Sequence, residues 1–454
     1  MRCRPVVTLC VAATLASVLV AGGSTGFAAQ AASGEVSPTE CGTNNGRGCA
    51  PQSRRVDLAT PSFSNSTEIT NPLFPISELR SALLLGHVDG KPFRTETTLL
   101  PGTQTIAWGG QQIRVLISQY VAYLDGRLEE VALDRYAQAD DGSVWYLGED
   151  VFDYKNGAVA ATEGTWLAGR EGPAAMIMPA HPRVGDAYRT ENVPGIVFEE
   201  VTIKSVDKTV DGPRGPVEGA IVADELHDDG TYDHKVFAPG YGEFRTTSGG
   251  DLEALALAVS TDALAGPPPT ELDVLSTSAV AVLESARVGN WEGASATVKR
   301  MNAAWKTLRA GKPPRMVAAR MNDALGTLTP AVTARRPEQV AQAAIDVAQS
   351  ALDLELRYRA PAAIDAARFE LWTQQLRVDA AAKDLAGVTG DVAVLEWIRD
   401  RIPDTLDPAG RAEIDARLRD LRVATDAENL PAAADHAARL GARLRDLVGP
   451  QSAG

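Results

Sequence analysis

Asp134-Arg135-Tyr136-Ala137-Gln138-Ala139-Asp140-Asp141-Gly142-Ser143-Val144-Trp145-Tyr146-Leu147-Gly148-Glu149 places two strand-like runs on either side of an Asp-Gly step. An Asp-Gly dipeptide accepts positive φ, so such a pair of runs reads as a β-hairpin. The pattern recurs outward from it at Asp125-Gly126, Asn156-Gly157 and Asp229-Gly230. From residue 61 to residue 266 the chain is therefore expected to form an antiparallel β meander, curved as a half-barrel or folded as a sandwich.

The texture changes at Pro267-Pro268-Pro269, after which alanine, leucine and arginine dominate. Val340, Ala343, Val347, Ala351 and Leu354 fall on one face at helical spacing, as do Ile364, Ala367, Leu371, Val378 and Leu385. Thr270 with Asp273 has the spacing of a capping box opening the first helix. A weak echo at Ala286-Arg287, Ala334-Arg335, Ala382-Lys383 and Ala424-Thr425 suggests stacked hairpins. The fold class expected is α+β in two domains, the meander followed by an all-α bundle over 267–454.

Before the meander, Arg2 and Arg4 precede the uncharged run from Pro5 to Gly22 and the small-residue step Ala29-Gln30-Ala31. That is the layout of a secretory signal over residues 1–31, cut before Ala32, with an uncleaved N-terminal anchor as the alternative. No transmembrane span is expected after its removal. Residues 32–60 read as a flexible leader with one staple, because Cys41 and Cys49 enclose seven Gly- and Asn-rich residues. In an oxidising compartment such a pair forms a local disulfide.

The chain has 454 residues, 44% of them hydrophobic, and a formal net charge of −15. This is enough apolar material for real cores, and the acidic balance excludes nucleic acid as a partner, since phosphate contacts need clustered Lys and Arg. The charge is uneven: residues 32–266 carry 18 basic and 34 acidic side chains, and residues 267–454 carry 24 and 25. A cationic ion, a basic partner or a polar-headed ligand is therefore to be sought on the β domain.

The motifs Asp134-Arg135-Tyr136-Ala137-Gln138, Gly142-Ser143-Val144-Trp145-Tyr146-Leu147-Gly148-Glu149, Asn156-Gly157 followed by Thr162-Glu163-Gly164-Thr165-Trp166-Leu167-Ala168-Gly169, and His234-Lys235-Val236-Phe237-Ala238-Pro239-Gly240-Tyr241-Gly242 together resemble a group of exported bacterial proteins, many of them lipoproteins. The resemblance covers about 130 residues of the β domain. It implies export and a β-rich fold, and it implies no reaction. The lipoprotein cysteine is missing here, so no lipid anchor is carried over.

Two-residue loops at the Gly steps would put Asp134 opposite Ile117 and Glu149, Tyr136 opposite Val115 and Leu147, Leu147 opposite Trp166, and Gln138 opposite Ile113 and Trp145. All these side chains would share one face. Opposed carboxyls among aromatics must share a proton, hold a cation or face water. The site so defined is a ligand cleft with Tyr136, Trp145 and Trp166 as apolar wall and Asp134, Gln138 and Glu149 as polar contacts. A Ca²⁺ site, an acid/base pair for glycoside hydrolysis, and a bulge that turns both acids to solvent are the alternatives. At Asp229-Gly230 the same arithmetic pairs Glu225 with His234 and His227 with Tyr232, placing Glu225, His227 and His234 on one face as candidate transition-metal ligands. A solvated hairpin tip is the plainer reading there.

No nucleophile elbow, Walker loop or His-Glu-x-x-His motif occurs, and no cofactor is expected. Trp291, Trp305, Trp372 and Trp397 sit at helical positions and are read as packing the bundle. The function expected is that of an exported, non-catalytic binding protein for an apolar or amphiphilic ligand or an envelope partner. By fold analogy alone, a curved sheet with one aromatic face is the architecture of periplasmic lipoprotein carriers. A hydrolase using Asp134 and Glu149, or a metal-binding exported protein, are the alternatives.

Overall fold

The computed structural model describes residues 49–448, so the signal expected over 1–31 and the partner Cys41 of the expected disulfide lie outside the described residues. Among the described residues fifteen strands precede eight α-helices, in the α+β order expected. The strands are β1 (Ser81–Val88), β2 (Lys91–Leu99), β3 (Gln104–Trp108), β4 (Gln111–Leu124) and β5 (Arg127–Gln138). Then come β6 (Val144–Lys155), β7 (Ala158–Ala161), β8 (Trp166–Leu167), β9 (Ala175–Met178) and β10 (Ala187–Val193). The last five are β11 (Val197–Gly212), β12 (Gly215–His227), β13 (Tyr232–Ala238), β14 (Gly242–Ser248) and β15 (Asp251–Val259).

All fifteen strands belong to one open, antiparallel sheet ordered β10-β11-β12-β13-β14-β15-β1-β2-β4-β5-β6-β7, with β3 added to β4, and β8 and β9 added to β6. It is a meander joined at its middle, where β15 takes β1 as neighbour. The sheet curls until Tyr146 of β6 and Tyr188, Val201, Ile221 and Phe237 of β10–β13 share one core. The segment before β1 lies over that core, with Ile69, Leu73 and Ile76 buried in it. Its start is not loose: Val56 N–H donates to Ala187 O at 2.9 Å, Ala50 N–H donates to Glu200 Oε1 at 2.6 Å, and Arg55 forms a bridge with Ala187. The leader expected to be flexible to residue 60 is thus docked on β10 and β11 over its described part, because Asp57 and Glu200 give Arg55 carboxylate partners.

The two-residue hairpins expected at Asp125-Gly126 and Asn156-Gly157 are present, with both residues of each at positive φ. The other two Gly steps close three-residue loops instead. Ala139 N–H donates to Ser143 O and His227 N–H donates to Thr231 O, which leaves Asp140-Asp141-Gly142 and Asp228-Asp229-Gly230 as the loops. In both, the second Asp accepts from the backbone N–H and the hydroxyl two residues on, at Ser143 and at Thr231. This Asx turn sets a type I turn that ends on a left-handed glycine, Gly142 or Gly230.

The helices are α1 (Thr270–Arg287), α2 (Trp291–Ala310), α3 (Arg315–Thr333), α4 (Pro337–Glu355), α5 (Pro361–Ala382), α6 (Leu385–Arg399), α7 (Pro408–Asp426) and α8 (Leu430–Val448). None of the described helices is long and apolar enough to cross a membrane. The capping box expected at Thr270 is not formed: Thr270 is already the first helical residue, Pro269 precedes it, and no side chain caps the helix. Asn290, Asp384 and Asp407 instead cap α2, α6 and α7, each accepting from the N–H of a glycine three residues later.

The helices form a second layer on the outer face of the sheet. Leu83 and Leu85 of β1 and Leu257 and Val259 of β15 join the core of α1–α4, while Val121, Tyr123 and Val131 of β4 and β5 join that of α5–α8. Between these two cores lies a buried ion network. Glu96 of β2 meets Arg94 at 2.6 Å, Arg401 at 2.7 Å and Arg368 at 3.5 Å, and Asp353 meets Arg94 at 2.7 Å and Arg368 at 2.9 Å. Asp365 completes three acids against three arginines, a balance that lets buried charge persist.

Candidate functional site

Curling leaves a cavity of about 160 Å³ against the inner face of the sheet. Alternation decides what faces it: Ala132, Asp134 and Tyr136 of β5, Glu225 and His227 of β12, and Asp233 and Lys235 of β13 all point inward at period two. The cavity is two-ended in chemistry. Phe74, Pro75, Ile76 and Leu79 from the segment before β1, with Ala82, Leu84 and Tyr241, make an apolar wall, and Glu199, Glu225, Asp233, Glu243 and Glu253 line the acidic part.

Asp134 and Glu149 are direct cross-strand partners, the pairing the sequence arithmetic gave, although by another route. The three-residue loop sets the ladder one residue off near the turn, where Gln138 faces Val144, and a bulge after Asp134 restores it. On the other side a bulge at the β4–β5 turn brings Asp134 opposite Ser118 rather than Ile117, and Tyr136 opposite Leu116 rather than Val115. Trp166 faces Glu149, not Leu147. Tyr146 thereby joins the inner face, stacked on Tyr136 at 4.9 Å and donating to Asp134 Oδ1 at 2.7 Å.

Two expected wall and contact residues are elsewhere. Trp145 pairs with Ala137, one residue out of phase with Tyr136, and packs against Trp108 rather than lining the cavity. Gln138 Oε1 accepts from the N–H groups of Thr70 and Asn71, so it straps the segment before β1 to the sheet end. Asp134 and Tyr136 line the cavity, whereas Glu149 and Trp166 lie behind them, fully buried. Glu149 is closed off from the cavity, so Asp134 and Glu149 do not both present carboxyls to a substrate there.

Burial raises the Glu149 carboxyl to about 8, with the Asp134 charge adding to it, and both its oxygens lack hydrogen-bond partners. Burial likewise raises Asp134 to about 6, opposed by the hydrogen bond from Tyr146. Glu191 of β10 is raised well above the usual carboxylate range by burial and by Glu149, while its Oε1 accepts from Trp166 Nε1–H at 2.6 Å. These acids titrate as a group rather than singly.

At the second cluster the three-residue loop has no compensating bulge, and the register stays one residue off: Glu225 faces Asp233, and Asp224 faces His234. His234 therefore turns to the outer, solvent side, where its Nδ1 lies 2.6 Å from Asp224, and it does not join Glu225 and His227. A slip of one residue exchanges faces, and Asp233 takes its place. Glu199 and His227 are cross-strand partners with Nδ1 3.2 Å from Oε1, and His227 Nε2 lies 3.5 Å from Asp233 Oδ2. Burial opposes the imidazolium, but Asp233 and Glu199 outweigh it and raise His227 to about 11. Lys235 Nζ holds Glu225 Oε2 at 2.7 Å.

Glu191, Glu199, Asp233 and Lys235 were not singled out from the sequence. Their signal is an acid or base embedded in a short apolar run, as in Val197-Phe198-Glu199-Glu200-Val201, and their convergence needs strands distant in sequence. Compared with known protein families and with curated proteins, the chain matches none.

Proposed function

We propose that the protein is an exported, non-catalytic binding protein whose inner cavity holds a small amphiphilic ligand. The ligand's apolar part packs against Phe74, Ile76, Leu79, Leu84 and Tyr241, and its hydrogen-bond-donating or cationic head reaches the carboxyls of Asp134, Glu225 and Glu253. The observation that carries this reading is the division of one cavity into an apolar wall and an acidic part whose carboxyls outnumber the cations beside them, Lys235 and His227. An apolar cavity with a few convergent polar groups is the usual form of a small-ligand site. The volume of about 160 Å³ holds on the order of ten waters, room for a short-chain amphiphile and not for a polymer.

The test is calorimetric titration of the chelator-treated protein with octylamine, octanol and octanoate. The expected order is octylammonium tightest and octanoate weakest by at least tenfold, with binding lost in Ala132→Phe, which fills the cavity from β5. Absence of heat with all three, or binding undiminished in Ala132→Phe, refutes the cavity reading. Export is checked by N-terminal sequencing of protein recovered outside the cytoplasm, with Ala32 expected as first residue.

A further inference from the structure

Glu199, Glu225 and His227 offer one ligand atom each within 4.8 Å of one another, and all three line the cavity. We propose that they form a binding site for a first-row transition-metal dication, zinc being the probe, with an open coordination position facing the cavity. Around an ion with bonds of about 2.0–2.2 Å, neighbouring tetrahedral ligand atoms lie roughly 3.3–3.6 Å apart. His227 Nδ1 and Glu199 Oε1 already stand 3.2 Å apart, so one edge is formed and Glu225 closes the set by rotation about its side-chain bonds.

The groups behind the ligands are those a metal centre needs. His227 Nε2, which has no hydrogen-bond partner within normal distance, faces Asp233 Oδ2 at 3.5 Å; when the ion displaces the Nδ1 proton to water, the remaining proton stays on Nε2, on the side of that carboxylate. Thr190 Oγ1 lies between the two carboxylates, 3.3 Å from Glu199 Oε2 and 3.2 Å from Glu225 Oε1, and its single proton serves one of them at a time. Lys235 Nζ sits on Glu225 Oε2, so the second oxygen, Oε1, which meets only the Thr190 hydroxyl, is the one offered to an ion.

A second observation points the same way. Glu191, the cross-strand partner of Glu199, is fully buried and leaves Oε2 without a hydrogen-bond partner. A mixed imidazole and carboxylate set with one open position suits zinc, manganese or iron better than calcium, which takes oxygen alone. The inference stands apart from the amphiphile reading, since its test uses the metal alone.

The experiment is titration of the full, chelator-treated chain with Zn²⁺, read by calorimetry and by the zinc X-ray absorption edge. One saturable site per chain is expected, with a nitrogen and oxygen shell that includes one imidazole. His227→Ala and Glu199→Gln should each weaken binding at least 100-fold, and Asp233→Asn by about 10- to 100-fold. His234→Ala, on the same hairpin but the opposite face, should leave affinity unchanged. Far-UV circular dichroism confirms that each variant is folded, and Glu199→Gln serves if His227→Ala is not. No saturable uptake, or uptake that Glu199→Gln and His227→Ala leave intact, overturns the proposal.

Discussion

Glu149→Gln tests the acidic inner face most directly. The Glu149 carboxyl is fully buried with no cation against it, and burial with the neighbouring Asp134 raises it from 4.5 to about 8. A carboxyl whose folded-state value is raised holds its proton more tightly in the fold. Its contribution to stability is complete below pH 4.5 and is lost as pH rises towards 8. A shift of that size is worth roughly 4–5 kcal/mol. Asp134 and Glu191 beside it take up part of the same proton affinity, so about 2–4 kcal/mol is expected for Glu149 alone. Gln removes the charge at nearly unchanged volume. For 454 residues the unfolding entropy is roughly 0.9 kcal/mol/K, so the variant should melt about 2–4 °C above wild type at pH 8 and within about 1 °C of it at pH 4.5. The assay is a chelator-containing thermal melt from pH 4.5 to 8.5, followed by circular dichroism. A variant destabilised at pH 8 by as much as at pH 4.5 would show that Glu149 is charged and paired in the fold, and would refute the reasoning.

The ion network between sheet and helices makes the opposite prediction for Glu96. Glu96→Gln leaves Arg94, Arg368 and Arg401 with two acids, and loss of one buried partner costs about 3–5 kcal/mol; adding Arg401→Met should recover part of the loss, measured by denaturant unfolding as a double-mutant cycle. The three arginines hold the Glu96 carboxyl below its usual range against the effect of burial, so its contribution is present above pH 4.5 and fades below it. Truncation after Gly266 uncovers Leu83, Leu85, Val121, Val131, Leu257 and Val259, and should give aggregates by size-exclusion chromatography; a monodisperse β domain would count against the shared cores. Gly157→Ala places a Cβ 2.2 Å from Ala386 O and 2.4 Å from Gly390 N at φ +80°, and should lower stability by roughly 2–4 kcal/mol in urea titration, because the hairpin tip and α6 must part.

The hairpins show what was legible in the chain and what was not. Asp-Gly and Asn-Gly steps mark every turn that was named, because positive φ is a local property of those residues. Loop length was written in the residue after the glycine: Asp141-Gly142-Ser143 and Asp229-Gly230-Thr231 carry the Asx-turn signature, a hydroxyl two residues after the Asp, that Asp125-Gly126-Arg127 and Asn156-Gly157-Ala158 lack. Overlooking it turns His234 inward on paper, whereas Asp134 and Glu149 still meet because a bulge cancels the slip. The bulge depends on how β6 takes up β8 and β9 on its far side, with Gly148 at φ +125° against the Trp166 carbonyl, and no local pattern announces that.

By itself the sequence determined the order of β meander and helices, the excess of acid in the first of these, and the periodicities that give each strand one inner and one outer face. These are local or additive properties of residues. Tertiary structure alone decided that β10–β13 curl round to face β5 and β6, which joins the Asp134–Glu149 pair and the Glu225–His227 pair in one inner core and brings Asp134, Glu225 and His227 to a single cavity. It also decided that the helices coat the outer face, whose strands would otherwise expose Leu83, Val121 and Val131 to water. Curvature accumulates from twist, bulges and packing over the whole sheet, so the meeting of residues a hundred positions apart is a property of the closed core and of no segment within it.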